Sequence, residues 1–158
     1  EQVGPHIEEQ MPGVVLAVQE TQDGTGHAVR MAWEALDAAD RSGTVLVAYG
    51  DTPLLEGESL SQFVAAHVAS PAAVSILSGI VDNPFGYGRV IRDDHGNVRS
   101  IVEQKDASEQ EAAVNEINSG ILAFDAAFLV GALAVLAGSP AARARSSGRA
   151  WPRAALTR

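Results

Sequence analysis

An aspartate directly follows a short apolar run in the first third of the chain. The run Thr44 to Tyr49 (TVLVAY) has the length and composition of a buried strand, and Gly50 and Asp51 come next. In open α/β sheets, ligands bind beyond the carboxyl ends of the strands. A single carboxylate there suits Mg²⁺, which usually takes one or two protein carboxylates plus substrate phosphates. A turn or helix-capping aspartate explains the same pattern equally well.

A glycine-rich loop follows an earlier apolar run. Gln19 comes directly after Val14 to Val18, which is predicted to be a buried parallel strand, and residues 24–28 (GTGHA) precede a helical pattern. Glycines let the backbone approach a ligand closely, and the first amides of a helix attract an anionic or acceptor-rich group. The segment is neither the dinucleotide fingerprint nor a P-loop, which needs a lysine after its last glycine. A plain strand-to-helix turn explains these residues without any ligand.

Three polar clusters lie at predicted strand boundaries in the second half of the chain. They are 83–89 (NPFGYGR), 103–107 (EQKDA) and 115–120 (NEINSG). The backbone N–H of Gly88, the carboxylate of Glu103 and the amide of Asn118 can together surround the hydroxyl and acetamido groups of a sugar. A bulge or turn explains the glycines, and a solvated ion pair explains Glu103 with Lys105. Neither explains all three clusters in order.

Other catalytic chemistries find no support in the sequence. The chain has no cysteine, which excludes disulfides, thiolate metal sites and cysteine nucleophiles. Its four histidines lack metal-ligand spacing, and no serine lies in a G-x-S-x-G elbow. His67 shares a helical face with Leu60, Phe63 and Val64, so it is predicted to be a partly buried packing residue.

Alternating strands and helices must position these residues. The predicted strands cover 14–18, 44–49, 73–81, 89–92, 97–102 and 117–124. Helical spacing of apolar residues marks 29–36, 60–68 and 128–136. Ser59 and Gln62 have capping-box spacing, Asp125 is placed to cap the last helix, and Trp33 fits a core position. The alternation predicts an α/β domain with a parallel sheet covered on both faces.

The charge distribution divides the 158-residue chain in two. The net charge of -9 argues against a general nucleic-acid binder. All 20 acidic residues precede Gly138, whereas five of the 11 basic residues follow it. We therefore predict a domain over 1–137 and an Ala/Arg-rich tail over 138–158 that is disordered or foreign to the fold. The apolar runs are too short for a membrane span, no signal peptide is apparent, and the lack of cysteine fits a cytoplasmic protein.

Five segments follow one another in an order and spacing typical of a known family. They are GTGHA (24–28), YGDTPLL (49–55), NPFGYGR (83–89), IVEQKDA (101–107) and EINSGI (116–121). Together they resemble the N-terminal domain of bacterial bifunctional N-acetylglucosamine-1-phosphate uridyltransferase/glucosamine-1-phosphate acetyltransferases. The resemblance covers about residues 1–137. It implies a Rossmann-like α/β nucleotidyltransferase fold with a mixed, mostly parallel sheet.

The resemblance also implies a Mg²⁺-dependent reaction. N-acetylglucosamine 1-phosphate attacks the α-phosphorus of UTP, pyrophosphate leaves, and UDP-N-acetylglucosamine forms as a precursor for peptidoglycan and the cell wall. By motif, the uridine-binding positions are Gln19, Gly24 and Thr25. The nucleotide-binding edge is Tyr49, Gly50 and Asp51, with Asp51 as the Mg²⁺ ligand. The N-acetylglucosamine contacts are Gly88, Glu103 and Asn118.

Two family features have no counterpart in the sequence. The family opens with a strand and the loop L-x-A-A-G-x-G-T-R-M, and after its last helix it has an N-x-Q-x-E-x-Y-x-T-D-like stretch and a second Asn metal ligand. We therefore expect a chain incomplete at both ends and inactive by itself, preceded in its gene by the missing loop and ending in a tail read out of frame. The alternatives are another sugar-1-phosphate nucleotidyltransferase, such as a thymidylyltransferase, and a non-catalytic truncated gene product. The GTGHA and INSG motifs favour the uridyltransferase.

Overall fold

The computed structural model describes residues 3–21, 23–50, 55–138 and 154–157. The chain divides into two compact units, Glu1–Ser42 and Gly43–Arg158. Within the described residues, no helix combines the length and the apolar run that crossing a bilayer requires.

The first unit is helical. It contains α1 (Val3–Gln10), α2 (Thr25–Ala35) and a short 3-10 turn (Ala38–Asp40). Trp33 is buried on α2, as its helical spacing predicts. Arg41 closes the end of α2, because its guanidinium donates to the carbonyls of Leu36 and Glu34.

The predicted strand at Val14 to Val18 is wrong. The segment carries no strand in the structure, and Val15, Leu16 and Val18 are exposed. A strand needs a second backbone to accept and donate its hydrogen bonds. No described segment pairs with residues 14–18, so the apolar run alone does not produce the strand.

The second unit is built on one six-stranded sheet. Its strands are β1 (Thr44–Val47), β2 (Val74–Ile80), β3 (Arg89–Arg92), β4 (Val98–Val102), β5 (Glu116–Asp125) and β6 (Ala154–Thr157). Its helices are α3 (Gly57–Val68), α4 (Glu109–Ala112) and α5 (Ala126–Gly138). The predicted strands at 44–49, 73–81 and 117–124 and the predicted β3–β4 hairpin are confirmed.

The expectation of a mostly parallel sheet is wrong for the described pairings. β1, β2 and β3 all pair antiparallel with β5, β3 pairs antiparallel with β4, and only β2 with β6 is parallel. The cause is the placement of β5. Because β1 and β2 both run opposite to β5, they share one direction, as a strand–helix–strand unit should. They are not neighbours, since the ten-residue β5 lies between them.

The core of the second unit lies between α3 and the sheet. Phe63 of α3 packs with Ile121 and Ala123 of β5, and all three are buried. His67 is also buried, as predicted, and its Nδ1 lies 2.8 Å from the Ser75 hydroxyl on β2. This hydrogen bond satisfies both polar groups in the apolar layer.

The start of α5 confirms the predicted cap. Asp125 Oδ1 accepts the N–H of Phe128 at 3.1 Å, so the helix begins directly after β5. The tail is only partly described. Ala154–Thr157 form β6, which pairs parallel with β2. Residues 139–153 and 158, and the predicted reading-frame origin, lie outside what the structure describes.

Candidate functional site

A cleft opens where two strands share one edge of β5. β2 occupies one edge of β5 from Glu116 to Phe124. The other edge pairs with β1 along 122–125 and with β3 at Ile117. On that edge, the stretch between these pairings, 118–121, therefore has no described strand beside it. A cavity of about 310 Å³ lies at this gap, at the small end of the range for small-molecule pockets.

The cleft brings together residues from four separate segments. Its lining consists of Tyr49, Gly86, Tyr87, Gly88, Glu103, Asn118, Ser119 and Gly120. Four of these are predicted site residues: Tyr49, Gly88, Glu103 and Asn118. Gly50 is exposed and does not line the cleft.

A bulge in β5 shapes the floor of the cleft. Leu77 pairs with Ile121, but the next residue of β2, Ser78, pairs with Asn118. Ser119 and Gly120 therefore lie opposite no residue of β2 in the strand register. Ser119 Oγ donates to the Leu77 carbonyl at 2.5 Å and accepts the N–H of Ile121 at 3.2 Å. Bulges are frequent beside binding sites because they re-aim side chains.

The Asn118 side chain is oriented by the same bulge. Its Oδ1 accepts the N–H of Gly120 at 3.0 Å, while its main-chain N–H donates to the Gly88 carbonyl at 2.8 Å. With the amide oxygen engaged, the NH₂ group is the part of the side chain left to meet a ligand. Asn118 therefore offers a hydrogen-bond donor to the cleft.

Glu103 supplies the only carboxylate among the lining residues. It follows β4, and its carboxylate lies close over Gly88, since a Cβ added to Gly88 would be 3.3 Å from Glu103 Oε1 and 3.1 Å from Ile101 Cγ2. A side chain larger than that of glycine at position 88 would therefore make Glu103 and Ile101 shift by a few tenths of an ångström. The carboxylate can accept hydrogen bonds from sugar hydroxyls.

Tyr49 forms the opposite wall, two residues beyond the end of β1. Its ring lies directly over Gly120, where an added Cβ would come within 1.9 Å of Tyr49 Cε2. Gly120 also has a φ of 81°, a conformation that glycine adopts readily and other residues rarely do. Gly120 therefore both permits the bulge and leaves room for the aromatic ring.

The uridine-binding positions predicted in the first unit form a local hydrogen-bonded group. Gln19 Nε2 donates to the carbonyl of Gly24 at 3.1 Å and lies 3.1 Å from His27 Nδ1. His27 Nδ1 is also 3.0 Å from the Thr21 carbonyl, and a single ring nitrogen can serve only one of these partners at a time. Gly24, with φ 89°, precedes Thr25, the first residue of α2.

Asp51, the predicted metal ligand, lies outside the described residues, which resume at Leu55. Within the described part of the chain, no three His, Asp or Glu side chains cluster to hold a metal ion. In the sequence, Asp51 follows Tyr49, a residue that lines the cleft, by two positions.

A partly buried ion pair stabilises the start of β5. Arg92 of β3 donates two hydrogen bonds to Glu116, at 2.7 and 2.6 Å, and Glu116 Oε1 accepts a third from Ser78 at 2.6 Å. The hydrogen bond with Glu116 raises the pKa of Arg92 above its ordinary value. This pair joins β2, β3 and β5, but it does not line the cleft.

Sequence reasoning missed half of the lining as site residues. Gly86, Tyr87, Ser119 and Gly120 stand inside the quoted motifs, and only the pairing register shows that they face the same cleft. A usable signal was present in the run Asn118-Ser119-Gly120, because a glycine within a strand pattern often marks a bulge.

Relatives of this chain were found in several bacteria. It is 54% identical to the bifunctional protein GlmU of Thermobifida fusca over 131 residues, which are 82% of this chain and 27% of that protein. It is 47% identical to the bifunctional protein GlmU of Corynebacterium efficiens over 140 residues, 86% of this chain and 28% of that protein. It is 52% identical to the bifunctional protein GlmU of Trichlorobacter lovleyi over 117 residues, 74% of this chain and 25% of that protein.

The chain spans about a quarter of the length of these relatives. The nucleotidyl transferase family matches residues 3–155, nearly the whole chain. The match extends over parts of both units and includes all residues that line the cleft. The α/β architecture with a central sheet agrees with the fold that the motifs imply. The chain therefore belongs to the nucleotidyl transferase family.

Proposed function

We propose that this nucleotidyltransferase chain contributes the sugar-binding part of a cytoplasmic activity that makes UDP-N-acetylglucosamine and pyrophosphate from UTP and N-acetylglucosamine 1-phosphate. In the proposed step, a phosphate oxygen of the sugar phosphate forms a bond to the α-phosphorus of UTP. The bond from that phosphorus to the oxygen bridging to the β-phosphorus breaks, and pyrophosphate carries away the electron pair. The absence of cysteine is compatible with a cytoplasmic enzyme.

The observation that carries the proposal is the convergence of Gly88, Glu103 and Asn118 in one cleft. They come from three motifs separated by up to 30 residues, yet all three line the same cavity. Their chemistry is complementary to an acetamido sugar. Glu103 accepts from hydroxyls, Asn118 offers an NH₂ donor, and the Gly88 N–H donates to no described residue.

Each residue has a proposed role in binding rather than in proton transfer. Asn118 donates to the acetamido carbonyl or another acceptor on the sugar, and Glu103 orients a hydroxyl. Tyr49, whose ring lies over Gly120, forms part of the wall of the cleft. Fixed positions matter because a misplacement of about 1 Å can reduce the rate roughly 10²-fold.

Mg²⁺ is part of the proposal, with Asp51 as its protein ligand. Mg²⁺ binds through one or two carboxylates plus substrate phosphates, so it does not require a three-ligand protein cluster. An aspartate two residues past the wall of the cleft is compatible with that requirement. When bound, the ion would neutralise charge on the phosphates of UTP.

The direct test is ligand binding by the purified chain. Calorimetric titration with UDP-N-acetylglucosamine, UDP-glucose and dTDP-glucose, with and without Mg²⁺, should show the strongest binding for UDP-N-acetylglucosamine. Asn118→Ala should weaken that binding, whereas Asn115→Ala, an exposed asparagine outside the cleft, should leave it unchanged.

Pyrophosphate release from UTP and N-acetylglucosamine 1-phosphate is the matching activity assay. Stronger binding of dTDP-glucose, with turnover of dTTP and glucose 1-phosphate, would identify the chain as a thymidylyltransferase instead. A folded chain that binds none of the three nucleotides would contradict the proposal and favour a non-catalytic gene product.

A further inference from the structure

Arg89 is a buried cation without an acidic partner. It is the first residue of β3, its exposed fraction is only 2%, and its Nε has no hydrogen-bond partner among the described residues. The described ion pairs join Arg30 to Glu34 and Arg92 to Glu116, and neither includes Arg89. Burying an unpaired charge is costly, so hydrogen bonds must offset the loss of hydration.

The guanidinium is instead bound by two uncharged oxygens. Nη1 donates to the main-chain carbonyl of Tyr87, and Nη2 donates to Gln104 Oε1 at 2.7 Å. The same Gln104 oxygen also accepts the N–H of Gly86 at 3.2 Å. One amide oxygen therefore links the buried cation to a glycine in the wall of the cleft.

These contacts fix the wall segment 84–88, which precedes β3. Within it, the N–H of Phe85 donates to Asn83 Oδ1 at 3.2 Å, and the N–H of Tyr87 donates to the Pro84 carbonyl at 3.2 Å. The Gly86 N–H is held by Gln104. Three consecutive amides are thus engaged, while the next one, that of Gly88, donates to no described residue.

Such a segment needs an external support. It contains two glycines, Gly86 with a φ of 90°, and glycine loses more backbone freedom on ordering than any other residue. Arg89 is rigidly placed in the sheet, and its planar fork presents several donors at fixed angles. Arg89 is therefore suited to hold the glycine-containing segment 84–88 in one conformation.

We propose that Arg89 and Gln104 are positioning residues, which do not touch the substrate but fix Gly86 and the Gly88 N–H for the sugar moiety. The proposal rests on the proposed function for the identity of the ligand. Neither residue lines the cleft. Their effect should therefore pass through the backbone of the wall.

The first test needs no ligand. Amide hydrogen exchange, read residue by residue by NMR, should be at least about tenfold faster at Gly86 in Gln104→Ala than in the wild-type chain, because the only described acceptor of that N–H is removed. Gln62→Ala, which removes an exposed glutamine on α3, should leave exchange at Gly86 unchanged. Gln104→Glu keeps an acceptor and adds a charge opposite to Arg89, so it should restore slow exchange.

The second test measures how the clamp, meaning the hydrogen bonds by which Arg89 and Gln104 hold the wall segment 84–88, affects ligand binding. In Gln104→Ala, affinity for UDP-N-acetylglucosamine should fall roughly tenfold, whereas affinity for UDP should not change. Gln104→Glu should restore the affinity for UDP-N-acetylglucosamine. Arg89→Lys, which keeps the charge but loses the fork, should resemble Gln104→Ala.

The outcomes separate this inference from the proposed function. Unchanged exchange at Gly86 in Gln104→Ala overturns the clamp, whatever the chain binds. Faster exchange with an unchanged affinity for UDP-N-acetylglucosamine reduces the clamp to a structural role and overturns the positioning claim. Absence of UDP-N-acetylglucosamine binding by the wild-type chain contradicts the proposed function, and the ligand-free exchange measurement still decides whether the clamp exists.

Discussion

Replacing Gly120 by alanine should remove Tyr49 from the wall of the cleft. The new Cβ would lie 1.9 Å from Tyr49 Cε2 and 2.4 Å from Cδ2. Two carbons in ordinary contact are about 3.5–4.0 Å apart, so the ring must move by roughly 1.5–2 Å. Tyr49 is 46% exposed, so solvent borders part of the ring and its displacement need not disturb the buried core.

The expected loss of stability has two parts. An alanine at a φ of 81° costs about 1–2 kcal/mol in backbone energy. Overpacking against the ring costs about 1–3 kcal/mol, and the partial exposure of Tyr49 favours the lower end. We therefore expect Gly120→Ala to lose about 2–3 kcal/mol of unfolding free energy.

Gly96 provides a matched control for the backbone part. It also has a φ of 81°, but a Cβ added there meets no atom within 4 Å. Gly96→Ala should therefore lose only about 1–2 kcal/mol. In the double variant Tyr49→Ala/Gly120→Ala the clash is absent, so the loss should be smaller than the sum of the single losses.

Urea unfolding of these three variants and of the single variant Tyr49→Ala measures the differences in stability. Titration with UDP-N-acetylglucosamine measures the effect on ligand binding in the cleft. Gly120→Ala should bind more weakly than Gly96→Ala, because only the former displaces the wall. Equal stability losses in the two glycine variants, together with equal ligand affinities, would refute the proposed fit of Tyr49 over Gly120.

Three further predictions concern the metal, the sugar and pH. In a full-length relative, the change equivalent to Asp51→Asn should reduce Mg²⁺-dependent pyrophosphate release by at least roughly 10²-fold with an unchanged circular dichroism spectrum, and near-normal turnover would reassign Asp51 to a turn. Asn118→Asp removes the NH₂ donor and should weaken UDP-N-acetylglucosamine binding as much as Asn118→Ala, whereas binding at wild-type strength would exclude the donor role. The Ser108 hydroxyl lowers the pKa of Glu111 below its ordinary 4.5. Urea unfolding between pH 3 and 7 should therefore show Ser108→Ala less stable than wild type above about pH 4.5, with the gap closing as pH falls through the lowered pKa, and a gap independent of pH would contradict this linkage.

Locally determined features were predictable from the sequence. The β3–β4 hairpin, the Asp125 cap and the burial of His67 each follow from a few neighbouring residues. Capping boxes show the limit of such reasoning. Ser59 has the right spacing to Gln62, but α3 already begins at Gly57 and its N-cap residue is Glu56. The real capping box joins Ser108 to Glu111 at the start of α4.

Strand neighbours were not predictable from alternation alone. The pattern of strand, helix and strand correctly requires β1 and β2 to run in the same direction. This pattern cannot show that β5, which comes later in the chain than β1 and β2, inserts between them. Insertion depends on long-range pairing rather than on local sequence. Once β5 is inserted, both of its neighbours must be antiparallel to it.

The same insertion explains why a cleft lies at Asn118-Ser119-Gly120. β1 and β3 share one edge of β5 and leave a gap between them, so the backbone there lacks its usual ladder partners. Buried N–H groups need acceptors, and short polar side chains can supply them locally. Asn118 Oδ1 accepts from Gly120, and Ser119 Oγ accepts from Ile121, while glycine adopts the positive φ that the bulge requires. Each residue type in the run is therefore needed for the bulge before any ligand is considered. The bulge in turn decides the chemistry of the cleft, because engaging the oxygen of Asn118 leaves its NH₂ group as the donor for a substrate.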